Sequence, residues 1–430
     1  MKTPSFIKKN LLLKVTSANT LLVLVRMGFS LISQKVLAIL IGAEGIALVG
    51  NLKNTVKFFE QFSILGISNG LVKYISEYKE DKERLNHLFS TAFILSAIAA
   101  LFSFLVLFFL SDILNNIIFS PNRNLGYIFK ILAFIIPFMS INAIIYSILN
   151  GHSAYKLYSK ITLSTIIVST LFIVVFTVKN GLKGSLLAIS TLPLLQFLIY
   201  IFFFSKNHKS YISFDKLSFN LDFKNKLLSY SFMTVVVILF ININDIAIRS
   251  LIKRNVSISE AGYWTAMTSI SKTYMQFLAA IFPLYILPRY AKINNTFEFR
   301  SEVKRIYIML LPLIIVGMAL VFLSRTLIIR LLYTEDFLSI SSMFKWQLLG
   351  DLVKFIAIVI SYQFIAKKQI GYFIFTELLS VLLFYGFSVY FIKIYGTEGI
   401  VIAHFVRYVF YLIVVFFILR HNFIGKNKNL

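Results

Sequence analysis

The sequence predicts an all-α membrane protein with twelve transmembrane helices in two pseudo-symmetric six-helix lobes around a central cavity. Three observations carry that prediction. Of the 430 residues, 58% are hydrophobic and 16% aromatic, with a mean hydropathy of +0.81, beyond the roughly 45–50% apolar content of soluble chains. The apolar residues gather in runs of about 20, the length at which a helix rising 1.5 Å per residue crosses about 30 Å of hydrocarbon. Barrel strands would instead alternate in polarity over about ten residues. The third observation is a repeat with a period close to half the chain.

The runs place spans near residues 10–40, 44–73, 86–110, 126–149, 156–178, 181–204, 227–252, 261–288, 304–324, 340–366, 370–392 and 398–420. With a cytoplasmic N-terminus, the inner connections hold 24 Lys and Arg and the outer ones eight. That bias in short loops puts both termini in the cytoplasm. Residues 1–205 and 227–430 are then the two lobes, and 206–226 is a cytoplasmic linker. The longest outer connection, Ser111 to Leu125, is too short for a catalytic domain. The first apolar run contains Lys14 and Arg26 and lacks a small-residue cleavage site, so it reads as a retained helix.

Glycine signatures open helices in both halves: GAEGI (42–46) and GLKGS (181–185), then EAGYW (260–264) and GTEGI (396–400). Gly45 and Gly262 lie 217 residues apart, and Gly184 and Gly399 lie 215 apart. At an offset of 215, Lys57, Gln61 and Phe62 fall on Lys272, Gln276 and Phe277, and Phe129-Lys130 falls on Phe344-Lys345. Lys35 falls on Arg249 at 214. Agreement on one offset predicts a duplicated unit; six helices per copy give both the same orientation, with a pseudo-axis along the membrane normal.

Six cations sit inside spans: Arg26, Lys53, Lys57, Lys272, Lys354 and Arg407. Lys57 and Lys272 lie roughly 18 and 15 Å along their helices from the glycine signatures, near the midplane. Facing lipid at about 3 kcal/mol each, the six together would exceed the usual margin of about 5–15 kcal/mol, so they face protein or water. Polar residues share their helical faces: Ser30 and Ser33 with Arg26, Thr265, Ser269 and Gln276 with Lys272, Gln347 and Asp351 with Lys354, and His404 and Tyr411 with Arg407. Asn242, Asp245 and Arg249 form another such stripe. Two readings stand. Local ion pairs (Asp245–Arg249, Asp351–Lys354, Lys57–Glu60) neutralise some of these charges, or the stripes line a wet, positive cavity that attracts an anion. Local pairing leaves Arg26, Lys53, Lys272 and Arg407 without a nearby acid. Lys14, Lys35, Lys130 and Lys345, near span ends, read as interfacial anchors. Prolines 137, 193, 283, 288 and 312 mark kinks or simple curvature.

The net charge of +25 follows from topology signalling, not from nucleic acid binding. Cysteine is absent, so no thiolate metal site or disulfide framework exists. No Walker A, HExxH or GxSxG motif occurs, and the reading is a non-enzyme without cofactor or metal.

Four blocks carry a family resemblance: GAEGIALVGNLKN (42–54), LGISNGLVKYISEY (65–78), EAGYWTAMTSISKTYMQFLAAIFPLYILPRYAKI (260–293) and WQLLGDLVKFIAIVISYQFIAK (346–367). They resemble the Wzx-type lipid-linked oligosaccharide flippases, including those for O-antigen and enterobacterial common antigen. The resemblance implies the multidrug/oligosaccharidyl-lipid/polysaccharide exporter fold and a multi-pass protein of the bacterial inner membrane. It implies a cargo of undecaprenyl pyrophosphate bearing an oligosaccharide, moved from the cytoplasmic to the periplasmic leaflet by alternating access. Its partners would be the lipid-linked oligosaccharide, membrane lipids, a polysaccharide polymerase and a chain-length regulator. Such flippases are thought to draw on an ion gradient, and Glu60, Asp245, Asp351 and Glu377 are the acids available for coupling. Cation-extruding relatives carry acids in the first helix; this chain has Arg26 and Lys35 there instead, which favours anionic cargo.

Overall fold

The computed structural model describes residues 11–205, 211–212, 217–219 and 221–423, and among them no extended strand occurs. In chain order the helices are α1 (Leu11–Phe62), α2 (Ser68–Glu77), α3 (Lys82–Phe109), α4 (Ser111–Ile118), α5 (Tyr127–Gly151), α6 (Tyr155–Phe204), α7 (Lys224–Asn255) and α8 (Ile258–Ile281). A π-helical turn (Phe282–Ile286) leads to α9 (Leu287–Lys292), α10 (Thr296–Leu323) and α11 (Arg325–Leu332). A 3₁₀ stretch (Glu335–Ser342) precedes α12 (Met343–Ala366), α13 (Ile370–Tyr395), α14 (Glu398–Ile418) and α15 (Arg420–Phe423).

Eight described helices are long and apolar enough to cross a membrane. Two of them are double: α1 breaks at Gly42 (φ 62°, ψ −169°) and α6 at Asn180–Gly181. With the less apolar α7 and α8 they make the twelve spans of the predicted two-lobe fold. Their outward faces remain apolar, with Leu323 75% and Phe109 71% exposed; only a bilayer suits such surfaces.

The chain divides into two compact units, Met1–Ile41 with Leu48–Asn242, and Gly42–Ala47 with Ile243–Leu430. The first is built on Ile64, Leu71, Leu88, Phe89, Ile148 and Leu149, all buried. Residues 206–210, 213–216 and 220 of the expected linker lie outside the described residues. Its described part packs on that core through Ile212 and Phe223, while the Ser218 amide donates to Ser90 Oγ at 3.0 Å.

The duplication recurs in local geometry, unit by unit. Helices α3 and α10 are both 28 residues long and start 214 residues apart. Asp81 caps the first by accepting from the Arg84 amide, and Asn295 caps the second by accepting from the Glu298 amide. The eight-residue α4 and α11 repeat the same offset. Ser153 and Lys368, 215 apart, both adopt left-handed backbone (φ 57° and 55°). The amide that follows each closes the same turn, Ala154 to Leu149 O and Gln369 to Phe364 O. Gly181 and Gly396 turn the chain at φ 53° and 57°, a region open to glycine at no steric cost. Three residues on, a Cβ at Gly184 would lie 1.9 Å from Phe176 O, and one at Gly399 would lie 2.3 Å from Phe391 O. Each hairpin is therefore closed by backbone-to-backbone contact.

Three expectations need correction. The span expected over 44–73 is broken, because Leu65 and Gly66 both adopt positive φ (51° and 62°) and end the helix at Phe62 before α2 begins. The span expected over 261–288 changes to π winding at Phe282–Ile286, which contains Pro283 and ends two residues before Pro288; α5, α6 and α10 run through Pro137, Pro193 and Pro312. The outer connection after Ser111 contains α4. Lys130 and Lys345 are exposed and lie over Phe108 and Trp346; the side chain of Lys14 lies outside the described residues.

Candidate functional site

Each unit carries its own cationic set. In the first, Arg26, Lys53 and Lys57 are exposed on α1, on either side of the break at Gly42. Beside the lysines, Asn54 is buried and its Nδ2 meets no acceptor among the described residues. Glu60 is half-buried, within electrostatic reach of Lys57 and of Tyr200. Arg26 stands in reach of Tyr146, whose ring meets Tyr158 edge-on at 5.7 Å. The structure thus groups Arg26, Lys57 and Glu60 with three tyrosines that the charge pattern did not single out.

The second unit holds a denser network centred on Asp351, which is 1% exposed on α12. Its Oδ2 accepts from Ser271 Oγ at 2.5 Å, from Gln347 Nε2 at 3.2 Å and from the Tyr274 hydroxyl. Its Oδ1 faces His404 Nε2 on α14 at 3.0 Å. The other ring nitrogen, Nδ1, lies 3.2 Å from Arg407 Nη2. The Arg407 guanidinium lies 4.3 Å from the ring centres of both Phe384 and Tyr408, and Lys354 sits over the same Tyr408 ring at 5.6 Å. Glu377 on α13 accepts from the Tyr411 hydroxyl at 3.0 Å and lies in electrostatic reach of Arg407 and Lys354.

The expected local partners stand within electrostatic reach of one another, and partners on other helices join them. Asp245 pairs with Lys272, 27 residues on, at 3.1 Å, and also lies within electrostatic reach of Arg249. Arg249 is 4% exposed and donates to Thr265 Oγ1 at 2.9 Å and to the Asp245 carbonyl at 3.3 Å. Lys272, expected to lack an acid, therefore has one contributed by another helix. Asp351 takes its hydrogen bonds from α8, α12 and α14 and lies within electrostatic reach of Lys354. Helical spacing sees only partners on the same helix, so these cross-helix pairs were invisible to it.

Of the ten predicted positions, Lys354, Arg407, Asp351 and Glu377 stand together in one network, and Lys272 and Asp245 form a pair in the same unit. Sequence reasoning missed Ser271, Tyr274, Phe384 and Tyr408. Ser271 and Tyr274 flank Lys272 within one turn, a signal that was present; Phe384 and Tyr408 are two among many aromatics. Among the described residues, no group of three acids or histidines has the arrangement to hold a metal.

Residues 12–294 match the family model described as "Polysaccharide biosynthesis protein". The chain belongs to the polysaccharide biosynthesis protein family. This family member is also 25% identical to the Lipid III flippase of Escherichia coli (strain K12), over 92% of its own length and 94% of the relative's. The Lipid III flippase of Shigella flexneri matches to the same extent. Among solved structures, a multidrug resistance MATE family transporter of the MOP superfamily aligns with TM-score 0.77 at 12% identity, covering 93% of this chain and 98% of that one. The lipid II flippase MurJ aligns with TM-score 0.70 at 16% identity, covering 94% and 87%. The resemblance to lipid-linked oligosaccharide flippases of this superfamily holds, and the fold is the superfamily's twelve-helix, two-lobe architecture.

Proposed function

We propose that this protein is a flippase that moves an undecaprenyl-pyrophosphate-linked oligosaccharide, an O-antigen repeat unit, from the cytoplasmic to the periplasmic leaflet of the bacterial inner membrane. Both termini are cytoplasmic, the lobes are residues 1–205 and 227–430 joined by a cytoplasmic linker, and the lobes rock to give alternating access. A polysaccharide polymerase and a chain-length regulator act on the delivered glycan. The protein carries out no covalent chemistry.

The observation that carries this reading is the Arg407–Lys354 pair. Two cations held inside spans by aromatic rings and a histidine form a site for a fixed, dense anion in a chain related over nine-tenths of its length to Lipid III flippases. A pyrophosphate cannot cross hydrocarbon bare; guanidinium and ammonium contacts replace its hydration. Arg26, Lys53, Lys57 and Lys272 are the further cations that contact the cargo during transport, and the polyprenyl tail stays in lipid. Glu60, Asp245 and Glu377 are the acids through which an ion gradient acts.

The test is complementation of flippase-null strains, scoring which glycan returns to the surface. O-antigen is expected; recovery of only the enterobacterial common antigen selects the alternative cargo. Lys57→Ala with Lys272→Ala is expected to cut surface polysaccharide while the protein stays in the membrane at normal abundance. Normal glycan in that double variant removes both lysines from the site.

A further inference from the structure

We propose that Gly350, Asp351 and His404 form a positioning relay that fixes the Arg407 guanidinium for the pyrophosphate, and that Asp351 is an anchor of this relay and not an ion-coupling acid. The inference rests on the reading of Arg407 as an anion contact. The hydrogen-bond directions follow from donor inventories. Arg407 has no acceptor to offer, so His404 Nδ1, 3.2 Å from its Nη2, must present its lone pair. The ring proton then sits on Nε2 and is donated to Asp351 Oδ1 at 3.0 Å. The opposite tautomer sets two donors against each other at Nδ1 and two lone pairs at Nε2. An imidazolium keeps the first of those clashes. With Nε2 protonated, Gln347 Nε2, 3.3 Å away, has no acceptor on the ring and donates to Asp351 Oδ2 and Ser271 Oγ instead.

Asp351 accepts from four side chains: Ser271, Tyr274, Gln347 and His404. A buried carboxylate supplied with that many donors is held in place and offers little to a coupling cation. Its neighbour Gly350 has an independent role. A Cβ there would lie 2.4 Å from His404 Cδ2 and 3.1 Å from Nε2, so the glycine is what lets the ring reach Asp351. At the far end, the Phe384 and Tyr408 rings fix the guanidinium plane, and Arg407 Nε is buried with no hydrogen-bond partner among the described residues. A buried, unspent donor on a clamped guanidinium calls for an acceptor, and a phosphate oxygen supplies one.

The relay acts only through Arg407, and a double-mutant cycle isolates that property. Farnesyl pyrophosphate is titrated against the full-length protein in detergent. His404→Phe and Gly350→Ala are each expected to weaken binding about tenfold, the worth of a hydrogen bond to a charged group. In the Arg407→Ala background neither is expected to change it further. Full losses that persist in that background overturn the relay while leaving the flippase reading intact. No binding by the wild-type protein overturns the pyrophosphate contact, and the flippase reading with it. Should the variants not fold, ¹⁵N spectra of histidine-labelled wild-type protein decide the relay. A neutral His404 protonated on Nε2 is expected; a proton on Nδ1 overturns the relay.

Discussion

Gly399→Ala tests the backbone contact that closes the second hairpin. The added methyl would sit 2.3 Å from Phe391 O and 2.5 Å from its carbonyl carbon, where ordinary contact begins at 3.4 Å. The partner is backbone on the preceding helix, so α13 and α14 must separate by about 1 Å along the contact. Overpacking of that kind costs about 1–3 kcal/mol, against a gain of about 0.5–1 kcal/mol from replacing a helical glycine by alanine. The difference is a net loss centred on about 1 kcal/mol and reaching about 2.5 kcal/mol. Gly386→Ala, inside α13 with nothing within 4 Å of its Cβ position, collects the gain alone and is the matched control. Apparent melting temperature in one detergent at one protein concentration should fall by a few degrees for Gly399→Ala and hold or rise for Gly386→Ala. Gly184→Ala, whose Cβ would lie 1.9 Å from Phe176 O, should fall at least as far as Gly399→Ala. If Gly399→Ala and Gly386→Ala melt together, the close approach does not hold the hairpin and the repeated geometry loses its energetic meaning.

Other outcomes follow from the same structure. Asp81→Ala and Asn295→Ala each remove the equivalent cap of α3 and α10, so each should cost about 1 kcal/mol in thermal stability; a cost at only one site breaks the equivalence. His152, in the turn after α5, donates its Nδ1–H to Ile148 O at 3.0 Å and meets the Tyr211 ring at 5.3 Å. Burial holds its imidazole below the ordinary 6.5, against the pull of that backbone hydrogen bond. As pH falls through 6.5 the unfolded chain takes up a proton that the folded state refuses, so stability declines toward the lower folded value. His152→Asn should flatten that decline between about pH 7.5 and 5.5, and an unchanged slope assigns it elsewhere. Alkaline phosphatase fusions should be active after Arg123 and inactive after Leu430, and the reverse pattern inverts the topology.

Much of the architecture was legible because hydrophobic length and helix-turning glycines leave marks that do not depend on context. Gly181 and Gly396 sit 215 residues apart in the sequence and adopt one backbone conformation in the fold. The break at Leu65–Gly66 was not legible, since leucine at positive φ looks like any apolar residue in a hydropathy window. The π winding around Pro283 carried only the prolines as a signal, and three other prolines left their helices unbroken. The site was legible as a list of charges but not as a set of partners. Asp245 and Lys272 lie 27 residues apart, and Asp351 and His404 lie 53 apart, on helices whose mutual rotation no single-helix pattern encodes. Nothing in the helical pattern marks Gly350 as the residue that makes room for the His404 ring.

The central claim is that the protein carries a pyrophosphate-linked oligosaccharide across a bilayer by means of cations inside its spans. Purified protein in proteoliposomes, loaded with fluorescent undecaprenyl-pyrophosphate oligosaccharide, reports this through the fraction of label open to a membrane-impermeant quencher added outside. The wild type is predicted to bring nearly all of the label within reach of the quencher over time, and Arg407→Ala with Lys354→Ala to leave about half protected, as protein-free vesicles do. Protection that is the same with wild-type protein as without it contradicts the account.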